Sequence, residues 1–114
     1  MAKHEFGIMP DPPAEGVWYS EYVPEKYRCI SVDDGLIEPL WSGSAPEAVL
    51  SAPTYYQTLS QPGYGLDYTG VTLIPPSSLD AFIGYFESIP QAAELTALMH
   101  RARRAGKFLI HFGI

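Results

Sequence analysis

The sequence predicts an α+β fold: a small, mostly antiparallel sheet of about four strands packed against two C-terminal helices, with a Pro-rich N-terminal arm. Three observations predict it. A chain of 114 residues has the size of a single domain spanning 1–114. A hydrophobic fraction of 46% against 18% charged residues is enough for one core and argues against disorder. The pattern also changes along the chain, with strand-like runs in the middle, helical spacing after Pro75-Pro76, and a strand-like run at the end.

Taken in order, residues 1–26 carry Gly7, Pro10, Pro12, Pro13, Gly16 and Pro24, which leaves room for little regular structure beyond a short strand. Phe6, Ile8, Met9, Val17, Trp18, Tyr19 and Tyr22 make this stretch too apolar for a free tail. It is expected to be an irregular arm lying across the body of the domain. Tyr27 to Val32 is rich in β-branched and aromatic residues and predicts the first strand, closed by Asp33-Asp34-Gly35. Leu36, Ile37, Leu40 and Trp41 have the spacing of one helical face, although Pro39 removes a backbone donor there. Residues 42–53 read as a linker holding one helical turn at 46–50. Thr54 to Leu59 is the next strand, Gln61 to Gly65 a turn, and Leu66 to Ile74 the strand that completes a hairpin.

Ser77-x-x-Asp80 and Ser88-x-x-Gln91 resemble capping boxes. They predict a helix burying Leu79, Phe82, Ile83 and Phe86, then one burying Leu95, Leu98, Met99 and Ala102 and ending at Gly106. Lys107 to Phe112 is the last strand. Apolar residues fall on both of its faces, which predicts a central position.

Charge narrows the function classes. The formal net charge is −6, which argues against nucleic acid and against an anionic membrane surface. No apolar run approaches the about 20 residues of a membrane span, and the N-terminus lacks the apolar run of a signal peptide. With one cysteine, Cys29, an intrachain disulfide is impossible, and a cytoplasmic location is the expectation. All thirteen acids precede residue 95, whereas Arg101, Arg103, Arg104 and Lys107 follow it. An acidic face suits solubility or a basic protein partner.

No motif commits the chain to a reaction, a cofactor or a metal, and the oligomeric state is open. Asp33, Asp34 and Glu38 stand where carboxylates bind a hard cation, but Asp there more often caps a helix. His4, His100 and His111 show no metal-ligand spacing. His111 falls on the predicted central strand, where an imidazole acts as a general base or, more commonly, as a hydrogen-bonded structural group. Cys29 reads as buried and inert. The arginines of the last helix suit its C-terminal dipole. The tyrosines are less easily absorbed. Tyr55, Tyr56, Tyr64 and Tyr68 cluster around the predicted hairpin, and Trp18, Tyr19, Tyr22 and Tyr27 precede the first strand. Such residues either line an interface or cover the core.

The strings Tyr27 to Asp34, Leu66 to Leu79 ending in VTLIPPSSL, and the C-terminal FLIHFGI resemble small bacterial proteins of uncharacterised function. In size and acidity these are similar to immunity proteins of bacterial toxin systems. The resemblance implies a compact α+β fold and a protein partner, and it brings no catalytic residues. Two functions are therefore expected in order: a non-catalytic protein-binding module using Tyr55, Tyr56, Tyr64, Tyr68 and His111, with toxin neutralisation as its sharpest form; and, as the alternative, a small enzyme or ligand-binding protein with a pocket near His111 and Asp33 or Asp34.

Overall fold

In the computed structural model, which describes residues 2–114, the chain forms an α+β fold around one antiparallel sheet. Its strands are β1 (Lys3–Ile8), β2 (Ile30–Asp33), β3 (Pro53–Tyr56), β4 (Pro62–Tyr64), β5 (Val71–Ile74) and β6 (Leu109–Phe112). The helices are α1 (Asp34–Ser42), α2 (Glu47–Leu50), α3 (Leu79–Phe86) and α4 (Ala93–Ala105). The strand order is β2-β1-β6-β5-β3-β4.

The sheet among the described residues has six strands where the sequence predicts about four. One addition is β1, inside the stretch expected to be an irregular arm. The prolines and glycines that weaken helix and strand expectations there begin mainly at Pro10. Before them, His4, Phe6 and Ile8 alternate with Lys3, Glu5 and Gly7, and β1 pairs with both β2 and β6. The other is β4, inside the predicted turn. It is a three-residue edge strand opening with Pro62, and an edge tolerates proline because one side of the strand has no neighbour to bond. The helices likewise are not confined to the C-terminal part, since α1 and α2 precede β3.

Other boundaries move for local reasons. Tyr27 closes a short 3-10 turn rather than opening β2, and Arg28 follows it with a φ of 50°. Neither capping box forms. The N-cap of α3 is Ser78 rather than Ser77, and its hydroxyl donates to the Pro53 carbonyl at 2.6 Å; the N-cap of α4 is Ala92, and the Ser88 hydroxyl donates to the Tyr85 carbonyl at 3.2 Å. Each chain of helix enters through a 3-10 turn that begins with Pro76 or Pro90, and these turns take the place of side-chain caps. In α1, Ile37 and Leu40 are buried, but Trp41 is 65% exposed. The predicted central position of the last strand is the observed one, with β1 on one side of β6 and β5 on the other.

Both faces of the sheet are covered. Phe6, Val32, Ile74 and Leu109 meet Phe82, Phe86, Leu95 and Met99 of the helices in the larger core. On the opposite face, Val71, Leu73, Ile110 and Phe112 are covered by Met9 and Tyr27, with Tyr19, Val23 and Cys29 packed beside them. The segment between β1 and β2 is therefore the second layer of the fold. It is tied down by a Tyr19 N–H donated to the Gln57 carbonyl at 2.6 Å. Glu5 on this face accepts hydrogen bonds from Ser31 at 2.9 Å and from Tyr22 at 3.2 Å. Gly7 makes the close seating possible. A Cβ at that position would lie 2.7 Å from Cys29 Sγ and 2.8 Å from the Tyr27 carbonyl oxygen.

Gly7→Ala is accordingly expected to destabilise the protein by about 1–3 kcal/mol, because the crowding atoms include backbone. Urea unfolding of the two proteins measures it, and an unchanged midpoint would show that the 27–29 segment does not seat on β1.

Candidate functional site

The most unusual feature of the interior is a run of polar side chains crossing the sheet beneath the helices. Antiparallel register places His111 of β6 between Phe6 of β1 and Thr72 of β5. His4, two residues before Phe6, shares that face. Both imidazoles are fully buried. His4 Nδ1 lies 2.8 Å from His111 Nε2, with the rings nearly parallel and their centroids 5.1 Å apart. His4 Nε2 lies 3.0 Å from Asp34 Oδ1, in the first turn of α1. The Tyr68 hydroxyl donates to the same carboxylate oxygen at 2.5 Å. At the other end, His111 Nδ1 is 3.3 Å from Thr72 Oγ1, which also accepts the Asp67 N–H at 2.9 Å.

With His4 neutral, proton inventory orders this run in one direction. An ionised Asp34 only accepts, so His4 Nε2 carries a hydrogen. A neutral His4 then has a bare Nδ1, which accepts from His111 Nε2–H. His111 in turn presents a bare Nδ1 to the Thr72 hydroxyl. Every buried ring nitrogen has a partner when both histidines are neutral Nε2–H tautomers. Burial, followed by the charge on a protonated His4, pushes the His111 pKa well below 6.5. The Asp34 carboxyl is held below its ordinary value first by the Tyr68 hydrogen bond and then by that of His4. The same carboxylate pushes Tyr68 up to about 12.

Local structure delivers each partner. Asp33 is the N-cap of α1, its side chain accepting the Gly35 N–H at 3.1 Å. With Asp33 so used, Asp34 enters the helix and turns toward His4. Tyr68 arrives on the loop before β5. The backbone beyond β6 fastens that loop, with Gly113 N–H donating to Gly70 at 2.8 Å and Ile114 N–H to Tyr68 at 3.0 Å. A Cβ on Gly113 would sit 2.2 Å from the Tyr68 carbonyl oxygen. Trp41 lies against the Tyr68 ring at 5.2 Å and shields the outer end of the run.

The expected site residues separate. Tyr68 and His111 belong to this network. Tyr56 lies on the same sheet face but nearer the edge, where its hydroxyl donates to the Tyr64 carbonyl and accepts the Tyr64 N–H at 3.2 Å. Tyr64 is 66% exposed. Tyr55 faces the other way, into the core beneath the arm, near Phe108. The four hairpin tyrosines thus do not make one patch. The expected pocket also divides. A cavity of about 290 Å³ adjoins Asp33, between β2 and the start of α4, lined by Val32, Leu36, Gln91, Glu94 and Leu95 among others. His111 is not in its wall. His4 was not distinguished from the other histidines by sequence, although its alternation with Phe6 and Ile8 was a readable signal.

No group of three or more His, Cys, Asp or Glu side chains able to hold a metal ion occurs among the described residues. Nor, among them, is any helix long and apolar enough to cross a membrane. Burial, then Glu5 and Glu25, push the Cys29 thiol up to about 12, which is the wrong direction for a nucleophile. Comparison with protein-family models, with curated proteins and with solved structures returned no match.

Two outcomes follow from this chemistry. Unfolding frees His111 to take up a proton below pH 6.5, so the unfolded chain binds more protons there and folding stability is lost as pH falls. The slope approaches about 1.4 kcal/mol per pH unit for one proton. Asp34 adds a second loss, below its ordinary value of 3.8. Urea midpoints measured from about pH 7.5 to 5 should fall in the native chain and flatten in His111→Leu; a flat native profile contradicts a neutral His111. His4→Leu leaves the His111 Nε2–H without an acceptor and should cost about 1–3 kcal/mol at neutral pH. Separately, iodoacetamide should label Cys29 at pH 8 far more slowly in the folded than in the urea-unfolded chain; equal rates would mean that the thiol is open.

Proposed function

We propose that the chain is a non-catalytic protein-binding module, with toxin neutralisation in a bacterial cytoplasm as its sharpest form. The observation that carries this reading is the outer surface of the arm. Val17, Trp18 and Tyr22 are 42%, 55% and 63% exposed within a stretch that also holds Asp11, Glu15, Glu21 and Glu25 against Lys26. Exposed large aromatics surrounded by like charge suit a partner whose own surface is basic, since aromatic residues supply contact energy and the field speeds encounter. The buried histidine run fits this reading as architecture, because its members are consumed by one another. Tyr55, Tyr56, Tyr68 and His111 then act from within, and Tyr64 is the hairpin tyrosine with most of its ring outside.

A second reading has one observation behind it. The cavity beside Asp33 adjoins one of the two groups expected at a small-ligand site but not His111, and its acids Asp33 and Glu94 suit a cation with an apolar body. Titration with such amines, followed by amide shifts of Leu36 and Ala92, tests it; unmoved resonances dismiss it.

For the first reading, the immobilised chain should retain a basic protein that Trp18→Ala retains poorly. Once that protein is purified, calorimetry should give a Kd at least about tenfold weaker for Trp18→Ala, and weaker binding at higher salt. Equal affinity of both chains with no salt dependence would sink the arm as the interface.

A further inference from the structure

The geometry points to an anion site, for the phosphate group of a small molecule, at the end of the sheet where β1 leaves for the arm and β6 begins. A cavity of about 370 Å³ there is lined by Ile8, Pro10, Lys26, Tyr27, Arg28 and Lys107. Three of the chain's seven cations thus converge on one depression, and none of its thirteen acids lines it. In a chain of net charge −6 this runs against the overall balance. Among the described residues, none of the three is in a salt bridge, whereas Arg103 pairs with Asp80. An anion between neighbouring cations relieves what repulsion remains after solvent screening.

The backbone supplies an independent observation. Arg28 has a φ of 50°, a left-handed conformation that an unbranched non-glycine residue adopts at a cost. It is held there by its own N–H to the Glu25 carbonyl at 3.3 Å, by the Cys29 N–H to the Pro24 carbonyl at 3.1 Å, and by the seating of Tyr27 and Cys29 over Gly7. Arg28 is the C-cap of the 3-10 turn, a position glycine would fill without strain, so the turn itself does not call for an arginine. Lys107 is brought to the same place by the end of α4, where its N–H donates to the Ala102 carbonyl at 2.9 Å.

The lining sets the ligand class. A phosphate group carries about two negative charges and three acceptor oxygens, which matches two ammonium groups and a guanidinium. Ile8 and Pro10 provide an apolar wall for the remainder of the molecule, and the Lys26 ammonium lies 5.6 Å from the Tyr27 ring centroid at the same depression. The cavity volume lies at the small end of the range for small-molecule sites, about 300–1,000 Å³. The site adjoins the outer surface of the arm through Lys26 and Tyr27, but it does not depend on the protein-binding reading.

The test is titration of the ¹⁵N-labelled full chain, at low ionic strength, with inorganic phosphate, adenosine monophosphate and uncharged adenosine. Both anions should shift the amides of Arg28, Cys29 and Lys107 saturably, and adenosine should not. Tighter binding of the nucleotide identifies a phosphomonoester as the ligand, and equal binding identifies free phosphate. Arg28→Gly should weaken binding at least about tenfold while leaving the thermal midpoint unchanged or higher, because it removes the cation and relieves the turn. Lys107→Gln, which leaves that turn alone, should weaken binding in the same direction. Absence of saturable shifts, or binding undiminished in both variants, overturns the site.

Discussion

Two imidazoles share one hydrogen bond in the middle of this sheet, and much of the fold is arranged so that they can. His4 and His111 are fully buried, and each needs two partners. The pair supplies one for each, and Asp34 and Thr72 supply the others. The requirement links β1, β6, β5 and the first turn of α1. It also fixes register. A slip of one residue between β1 and β6 would carry a histidine to the opposite face, where Leu73, Ile110 and Phe112 offer no acceptor. An unpaired buried group costs more than a made hydrogen bond contributes, so the network acts mainly by penalising alternatives.

The second constraint is that the sheet is apolar on both sides while the helices cover only one. Antiparallel sheets often leave a face to water, but here the arm covers it. Its seating uses three devices already described: the glycine of β1, the double acceptance at Glu5, and the clip to Gln57. Covering the sheet with an irregular segment has a consequence at the surface. A chain without repeating pattern cannot bury every large residue it carries, and Trp18 and Tyr22 are left outside among acids. Interior and exterior roles thereby separate. The tyrosine and histidines that attract notice for chemistry are tied to one another inside, whereas the arm offers contact area and charge without.

The legibility of these features in the sequence differed by residue. The long C-terminal helix and the central last strand were readable, because Leu95, Leu98, Met99 and Ala102 repeat at helical spacing and FLIHF is apolar on both faces. β1 was obscured because strong breakers follow it closely, although its alternation was present. β4 was obscured because an edge strand of three residues has no pattern of its own. The capping boxes failed because prolines beside each serine favoured 3-10 entry instead. Of the candidate site, His111 was marked by a polar group on an apolar strand. Asp34 was marked as a carboxylate at a strand end and Tyr68 as one of the hairpin tyrosines, but neither as a partner of a histidine, and His4 was not marked, since it stands near the terminus without a spacing signal.

By itself the sequence determined the α+β class, the buried faces of the two helices after Pro75-Pro76, the central place of the last strand and the excess of acid over base. These depend on periodicity and composition, which neighbours along the chain express. Tertiary structure alone decided that residues 4, 34, 68, 72 and 111 form one hydrogen-bonded run, that the hairpin tyrosines divide between faces, and that Lys26, Arg28 and Lys107 line one cavity. Such groupings join residues up to 107 positions apart. They follow from strand order and register, which no local pattern encodes.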